Sequence, residues 1–257
     1  MIFTLLSGRR APASERSITG LEAHLERGAI LWFGEVHGTE ESPRFAGDVS
    51  CHAAHTGCVQ LGLEIANDEQ VRIDRYVRSD GNAPDRAALL EGDFWRQHDG
   101  RSSEAMVALI ERVRVLRAAG AAIDVVAYDI PGATDRDAAM ADYVARTRDP
   151  QAVFIGLSGN IHSRRTKGTP WNPDLVPMVA RLVARGFVIA TFDVAANGGT
   201  FWGCISDGPE QPLRCSEHEN RCVESGEPWT LGPALDPSHD GVYRVGTTTA
   251  SRPALGT

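Results

Sequence analysis

The chain is poor in several features that would have narrowed its class at once. It has no run of apolar residues long enough to cross a membrane as a helix. Its first apolar stretch, Ile2 to Leu6, is shorter than the core of a secretory signal and runs straight into Gly8-Arg9-Arg10, so no signal peptide is read here and the chain is expected to be soluble. An extracytoplasmic home stays open if a leader was removed upstream. Basic charge is scarce: 26 Lys and Arg against 34 Asp and Glu give a net charge of -8, which leaves no broad cationic surface for a phosphate backbone and excludes nucleic acid as the expected partner. Linkers rich in Ser, Gly and Pro are missing, and so are internal repeats. The 257 residues, 42% of them apolar, are therefore read as one domain with one large core.

Cysteine is sparse and odd in number, with five in all. Cys204, Cys215 and Cys222 fall in a polar stretch near the C-terminus, where one disulfide within the trio is expected if the protein leaves the cytoplasm. Cys51 and Cys58 are read on one helix, about 10 Å apart along its axis, too far to bridge. Cys51, His52, His55 and Cys58 have the look of a metal cluster, but they come from a single helix with no second ligand pair and are read as a helix face.

What the chain does have is alternation. Five short apolar runs, Ala29 to Phe33, Val59 to Leu63, Ile123 to Tyr128, Ala152 to Leu157 and Phe187 to Phe192, are separated by amphipathic helical patterns. Nearly continuous apolar runs suit strands covered on both faces, and the intervening helices suit parallel crossovers. The fold class is thus α/β, a single domain with a mostly parallel sheet and helices on both faces. Helix starts are placed at Ser42-Pro43, at Asn67 with Gln70 as a capping box, at Ser103 and at Asn172-Pro173. Residues 79 to 102 read as a helical insertion forming a lid or pocket wall, with His98 and Asp99 in a solvated loop. Residues 194 to 257 read as a β and loop extension, with Thr200 to Trp202 and Gly241 to Val245 as edge strands.

Ligands of open parallel sheets bind just beyond the carboxyl ends of the strands. The residues following the five runs are Gly34-Glu35-Val36-His37-Gly38, Glu64, Asp129, Gly159-Asn160-Ile161-His162 and Asp193. A single such residue is usually a turn or a helix cap; five on one rim point to a site. Two strands end in the same Gly-x-x-His spacing, read as glycine letting the backbone bend while the imidazole turns back over the rim.

The elements Gly34-Glu35-Val36-His37-Gly38-Thr39-Glu40, Gly62-Leu63-Glu64, Arg136-Asp137-Ala138-Ala139-Met140-Ala141 and Gly159-Asn160-Ile161-His162 resemble, in kind and in order, the superfamily that unites erythromycin esterases, ChaN-like haem-uptake lipoproteins and the TraB and TIKI proteases. The resemblance spans residues 29 to 193. It implies a shared rim site whose chemistry differs by branch: a histidine base like His37 beside a glutamate like Glu64 in the esterases, a divalent metal on the Gly-x-x-His motifs in the TIKI branch, haem in the ChaN-like branch. The expected function is hydrolysis of an ester, amide or peptide bond in a small-molecule or peptide substrate. His37 is the expected general base, neutral near pH 7, with Glu64 and Glu35 as its partners and His162 as a second acid, base or ligand. Arg136 holds a rim carboxylate or a substrate anion, or lies on the surface of its helix, and Asp129 is a weaker substrate contact. If a metal binds, His37, Glu35, Glu64 and His162 are its ligands, and zinc, manganese and iron suit them equally. The alternative from another class is a haem- or iron-binding protein, which needs an exposed Tyr or His; Tyr76, Tyr128 and Tyr143 have ordinary core or helix explanations.

Overall fold

The computed structural model describes residues 16–169, 171–206, 212–223 and 226–256. Its strands are β1 (Ile30–Glu35), β2 (Val59–Ala66), β3 (Ile123–Asp129), β4 (Val153–Gly159), β5 (Ala190–Ile205), β6 (Arg214–Cys222), β7 (Thr230–Pro233) and β8 (Gly241–Thr248). They form one sheet in the order β3-β2-β4-β1-β5-β8-β7, with β6 paired to β5 outside this path. The six strands from β3 to β8 in that order run parallel, while β7 and β6 are antiparallel to their neighbours. Helices α1 (Glu41–Ala54), α2 (Gln70–Val77), α3 (Ala83–Leu89), α4 (Glu104–Ala118), α5 (Arg136–Thr147) and α6 (Met178–Ala184) complete the chain.

Side chains alternate across a strand, so β1 feeds two cores. Leu31 and Phe33 join Phe45, Val49, Leu109 and Ile110 under α1 and α4. Ile30 and Trp32 join Met140, Val144, Val179 and Leu182 under α5 and α6. Both faces are therefore covered, as the apolar runs predict, and the whole of β1 is buried. Phe33 stacks on Phe192 and meets Phe45 and Tyr243 edge-on, tying β1, β5, β8 and α1 into one aromatic cluster.

Several boundaries differ from the sequence reading, each for a local reason. Helix α1 starts at Glu41, ahead of Ser42-Pro43, and the Ser42 hydroxyl accepts a hydrogen bond from the buried Tyr243 hydroxyl instead of capping. Cys58 lies beyond the end of α1, leaving Cys51 alone on the helix. No capping box forms at Asn67, because Gln70 is spent on β3: its amide donates to the Val125 carbonyl and accepts from the Ala127 N–H. Helix α6 begins at Met178, behind Pro177, while Asn172 and Thr169 close a turn on each other. Ser103 does cap α4, accepting from the Met106 N–H. The largest departures are in the C-terminal third. β5 does not stop at Phe192 but continues to Ile205 through Gly198 and Gly199, both at positive φ. β8 is no edge, since it lies between β5 and β7.

Candidate active site

β1 and β4 pair in register, with Glu35 opposite Gly159. That alignment sets the two Gly-x-x-His turns level at the end of the sheet. The Asn160 N–H donates to the Glu35 carbonyl at 3.0 Å, locking one turn to the other. Gly34 and Gly159 serve this close approach by their lack of a side chain; neither has positive φ, so the sharp bend expected of them is not their role. A Cβ on Gly34 would lie 2.2 Å from Ser163 Oγ, and one on Gly159 would lie 2.8 Å from His37 Nε2. Only at Gly38 does φ of +76° itself require glycine, and its carbonyl accepts from the Trp202 N–H and the Ser251 N–H.

β2 gains one residue over β3 between Leu63 and Ala66, and Glu64 sits in this bulge rather than after the strand. Its carboxylate is 3% exposed and has two strong donors: Arg136 Nη2 at 2.6 Å on Oε1 and the Gly159 N–H at 2.8 Å on Oε2. Around it the structure brings together both histidines. His37 Nε2 is 3.4 Å from Glu64 Oε2 and His162 Nε2 is 3.9 Å from Oε1. His37 Nδ1 donates to Glu35 Oε1 at 2.8 Å. Asp129, at the end of β3, accepts from Arg136 Nε at 2.7 Å and Arg101 Nη1 at 3.2 Å. It is buried beneath the two guanidinium groups and holds them in place. Asp193 lies inside β5, opposite Gly34, and borders Asn160, Arg164 and Asp236; burial, aided by Asp236, pushes its carboxyl up to about 6.

These contacts decide the protonation of His37. Burial alone would lower its pKa, but the Glu64 and Glu35 carboxylates, one at each ring nitrogen, override it and push the pKa up to about 10. The two carboxylates thus favour the imidazolium form of His37, where the motif alone leads to the expectation of a neutral base. Burial would raise the Glu64 pKa, yet His37, His162 and Arg136 hold it well below the carboxylate range.

His162 has a different partner. Its Nδ1 lies 2.8 Å from Asp137 Oδ1, an oxygen that also accepts from the Met178 N–H at 2.6 Å. A carboxylate oxygen that already takes an amide proton accepts from the imidazole too, which puts the ring proton on Nδ1 and leaves Nε2 as the acceptor of Arg136 Nη1 at 3.1 Å. Arg136 and Asp137 are the first two residues of α5, so one helix start supplies both. Asp137 carries no role in the sequence pattern, although its place beside Arg136 is visible there.

A cleft of about 570 Å³ opens over these groups, lined by Glu35, His37, Arg101, Asn160 and His162 on one side and by Phe201 to Cys204 and Leu213 on the other. Arg101 was not singled out in the sequence. It sits in a single turn, Gly100–Ser102, capped by Asp99, and its guanidinium is paired with Asp99 and Asp129 and lies 3.7 Å from Glu64. The 79–102 insertion thus supplies a wall through Asp99 to Arg101. The other wall is the β5–β6 hairpin, closed by a disulfide between Cys204 and Cys215.

No protein family and no curated protein matches the sequence. Among solved structures the chain is similar to a Bacillus cereus protein, at 10% identity over 91% of this chain and 92% of that one with a TM-score of 0.60. It is also similar to a mutant erythromycin esterase in its open conformation, at 15% identity over 77% of this chain and 78% of that one with a TM-score of 0.55. The fold is erythromycin esterase-like. The chain is similar as well to a succinoglycan biosynthesis protein, at 10% identity over 90% of this chain and 91% of that one with a TM-score of 0.63. At these identities the likeness concerns the fold alone. No helix among the described residues is long and apolar enough to cross a membrane.

Proposed function

We propose that the protein is a hydrolase of ester, amide or peptide bonds in which His162 is the general base and His37 the general acid. The observation that carries this reading is the unequal pairing of the two imidazoles: one oriented by Asp137 through Nδ1, the other clamped as a cation between Glu35 and Glu64. Two like residues held by unequal partners can divide the roles of acid and base.

In this mechanism a water displaces the Arg136 contact at His162 Nε2. As its oxygen attacks the substrate carbonyl, the proton passes to Nε2, and Asp137 stabilises the imidazolium that forms. The negative charge growing on the carbonyl oxygen faces His37 and the Arg101 guanidinium, cations held in place by buried carboxylates, with Arg136 behind them on Glu64. Collapse breaks the bond to the leaving oxygen or nitrogen, which takes a proton from His37. Glu64, within 4 Å of both rings, then lies on the path by which the proton of His162 returns to His37.

The donor set fits a divalent metal ion poorly. Arg136 places nitrogens 2.6 Å from Glu64 Oε1 and 3.1 Å from His162 Nε2, so a guanidinium fills the position between these two ligands. His37 presents both nitrogens to carboxylates rather than to a common centre. No group of three His, Cys, Asp or Glu residues among those described is arranged to hold a metal. A haem site draws little support from the tyrosines: Tyr76, Tyr128 and Tyr243 are buried, and Tyr143, half-buried on α5, packs against the core with Arg146 over its ring.

The test is a panel of p-nitrophenyl esters and blocked peptides assayed with wild type and His162→Ala, with circular dichroism as the folding control. Loss of a general base is expected to lower kcat by roughly 10²–10⁴. Full activity in folded His162→Ala would remove His162 from the role.

A further inference from the structure

We propose that the cleft takes its substrate as an extended polypeptide, added as a strand to the outer edge of β5 at Cys204. The cleavage of that chain rests on the hydrolytic reading above; its binding does not.

The inference comes from the direction of backbone groups. Trp202 lies opposite Glu217 of β6, yet its N–H donates to the Gly38 carbonyl at 2.9 Å. Trp202 and Glu217 are therefore a non-hydrogen-bonded pair, whose N–H and C=O groups point away from the partner strand. Such pairs alternate with hydrogen-bonded ones, and the β5–β6 register is unbroken from Gly199 to Ile205. Cys204 and Cys215, two positions on, are then of the same kind. Their Cα atoms are 3.9 Å apart, which agrees with the close spacing of a non-hydrogen-bonded pair, about 4.5 Å, and not with the wider one, about 5.5 Å.

It follows that the N–H and C=O of Cys204 point outward, along the edge that β8 occupies at Gly199 and Gly38 occupies at Trp202. Among the described residues none hydrogen-bonds to the N–H or C=O of Cys204, whose Sγ lies 3.7 Å from the His98 carbonyl. Cys204 lines the same cleft as His37 and His162. An open strand edge leading into a reactive cleft is the geometry of strand addition, in which main-chain hydrogen bonds supply affinity independently of sequence. One substrate residue would exchange a pair of hydrogen bonds with Cys204, and at about 3.3 Å per residue its neighbours would run along the cleft past the two histidines. The disulfide holds the hairpin in the register that presents this edge. A compact ester of a small alcohol has no such backbone to offer.

The experiment uses the full chain, labelled with ¹⁵N at cysteine, and a randomised library of blocked octapeptides, with p-nitrophenyl esters as the comparison. Binding is read as a shift of the Cys204 amide resonance and cleavage by mass spectrometry. For any peptide that binds, single N-methylation is then walked along the backbone. The expected result is a Cys204 shift, cleavage, and a tenfold or greater rise in KM or Kd on methylating one residue, with smaller effects at its immediate neighbours. Ester hydrolysis without peptide binding would overturn the proposal and leave the hydrolase reading intact. Peptide binding with the Cys204 shift and the single methylation-sensitive position, but no cleavage of any substrate, would support the edge and remove the hydrolase reading. Peptides that bind with no Cys204 shift would overturn it.

Discussion

Replacing Glu64 by Gln alters the site at its centre while hardly changing its volume. Both oxygens of Glu64 face donors, Arg136 Nη2 at 2.6 Å and the Gly159 N–H at 2.8 Å. A glutamine has one oxygen and one NH₂, so in either orientation one contact becomes donor against donor. The Arg136 guanidinium keeps Asp129 but loses the buried charge that balances it, and the His37 cation keeps Glu35 alone. Breaking a buried pair by removing one charge typically costs 3–5 kcal/mol. Because Arg136 and His37 each retain a second carboxylate and the cleft admits water, about 3 kcal/mol is the expected loss in Glu64→Gln. Urea denaturation at pH 7, read by circular dichroism, measures it as a lower midpoint at unchanged slope. NMR titration of the His37 ring should show its pKa moving down from about 10. There is also an acid signature. Glu64 is held well below its ordinary 4.5 in the folded state, so it contributes stability above pH 4.5 that is lost as pH falls through the folded value. That part of the acid limb should be missing from Glu64→Gln. A variant within 1 kcal/mol of wild type with an unmoved His37 titration would refute the account of the site's electrostatics.

Further outcomes follow from the same contacts. Gly159→Ala brings a methyl group to 2.8 Å from His37 Nε2, so it should displace the imidazole and lower kcat at least tenfold while thermal unfolding shifts by only a few degrees; unchanged kcat would contradict the packing. His37 has a folded pKa raised above its ordinary 6.5, so its contribution to stability is complete below pH 6.5 and declines as pH rises to about 10; stability-versus-pH curves of wild type and His37→Gln should converge across this window. Asp137→Ala removes the oxygen that accepts from both the His162 ring and the Met178 N–H, so it should free the ring from its Nδ1 tautomer and lower kcat more than it raises KM; an effect on KM alone would argue against an orienting role.

How much of this was legible depends on what each segment buries. The parallel core was legible because its strands are covered on both faces and so read as unbroken apolar runs. The rim residues His37, Glu64 and His162 could be found together because they follow or end neighbouring strands, and a parallel sheet brings such positions to one side. The hairpin was not legible. β6 is largely exposed and carries Arg, Ser, Glu, His and Asn with no apolar alternation, and Gly198-Gly199 makes β5 look finished long before Ile205. The disulfide expected within the Cys204, Cys215 and Cys222 trio is Cys204–Cys215, but nothing in the spacing says that it closes a cleft. Arg101 was hidden because its contacts with Asp129 and Glu64 join residues far apart in sequence, inside a segment that reads as a polar loop. The environment of His37 was only half legible for a related reason: Glu35, two residues away, is visible in the motif, but the second carboxylate at Nε2 arrives only through the pairing of β4 with both β1 and β2.

The central claim is that His37 works as a cationic acid and His162 as the base, and the pH dependence of kcat/KM at the alkaline end tests it most directly. With any substrate the wild type hydrolyses, over a pH range where the protein stays folded, activity should hold through neutrality and fall with loss of a single proton near pH 10, where His37 becomes neutral. A rate that instead climbs as His37 loses its proton would contradict the account and return His37 to the role of base.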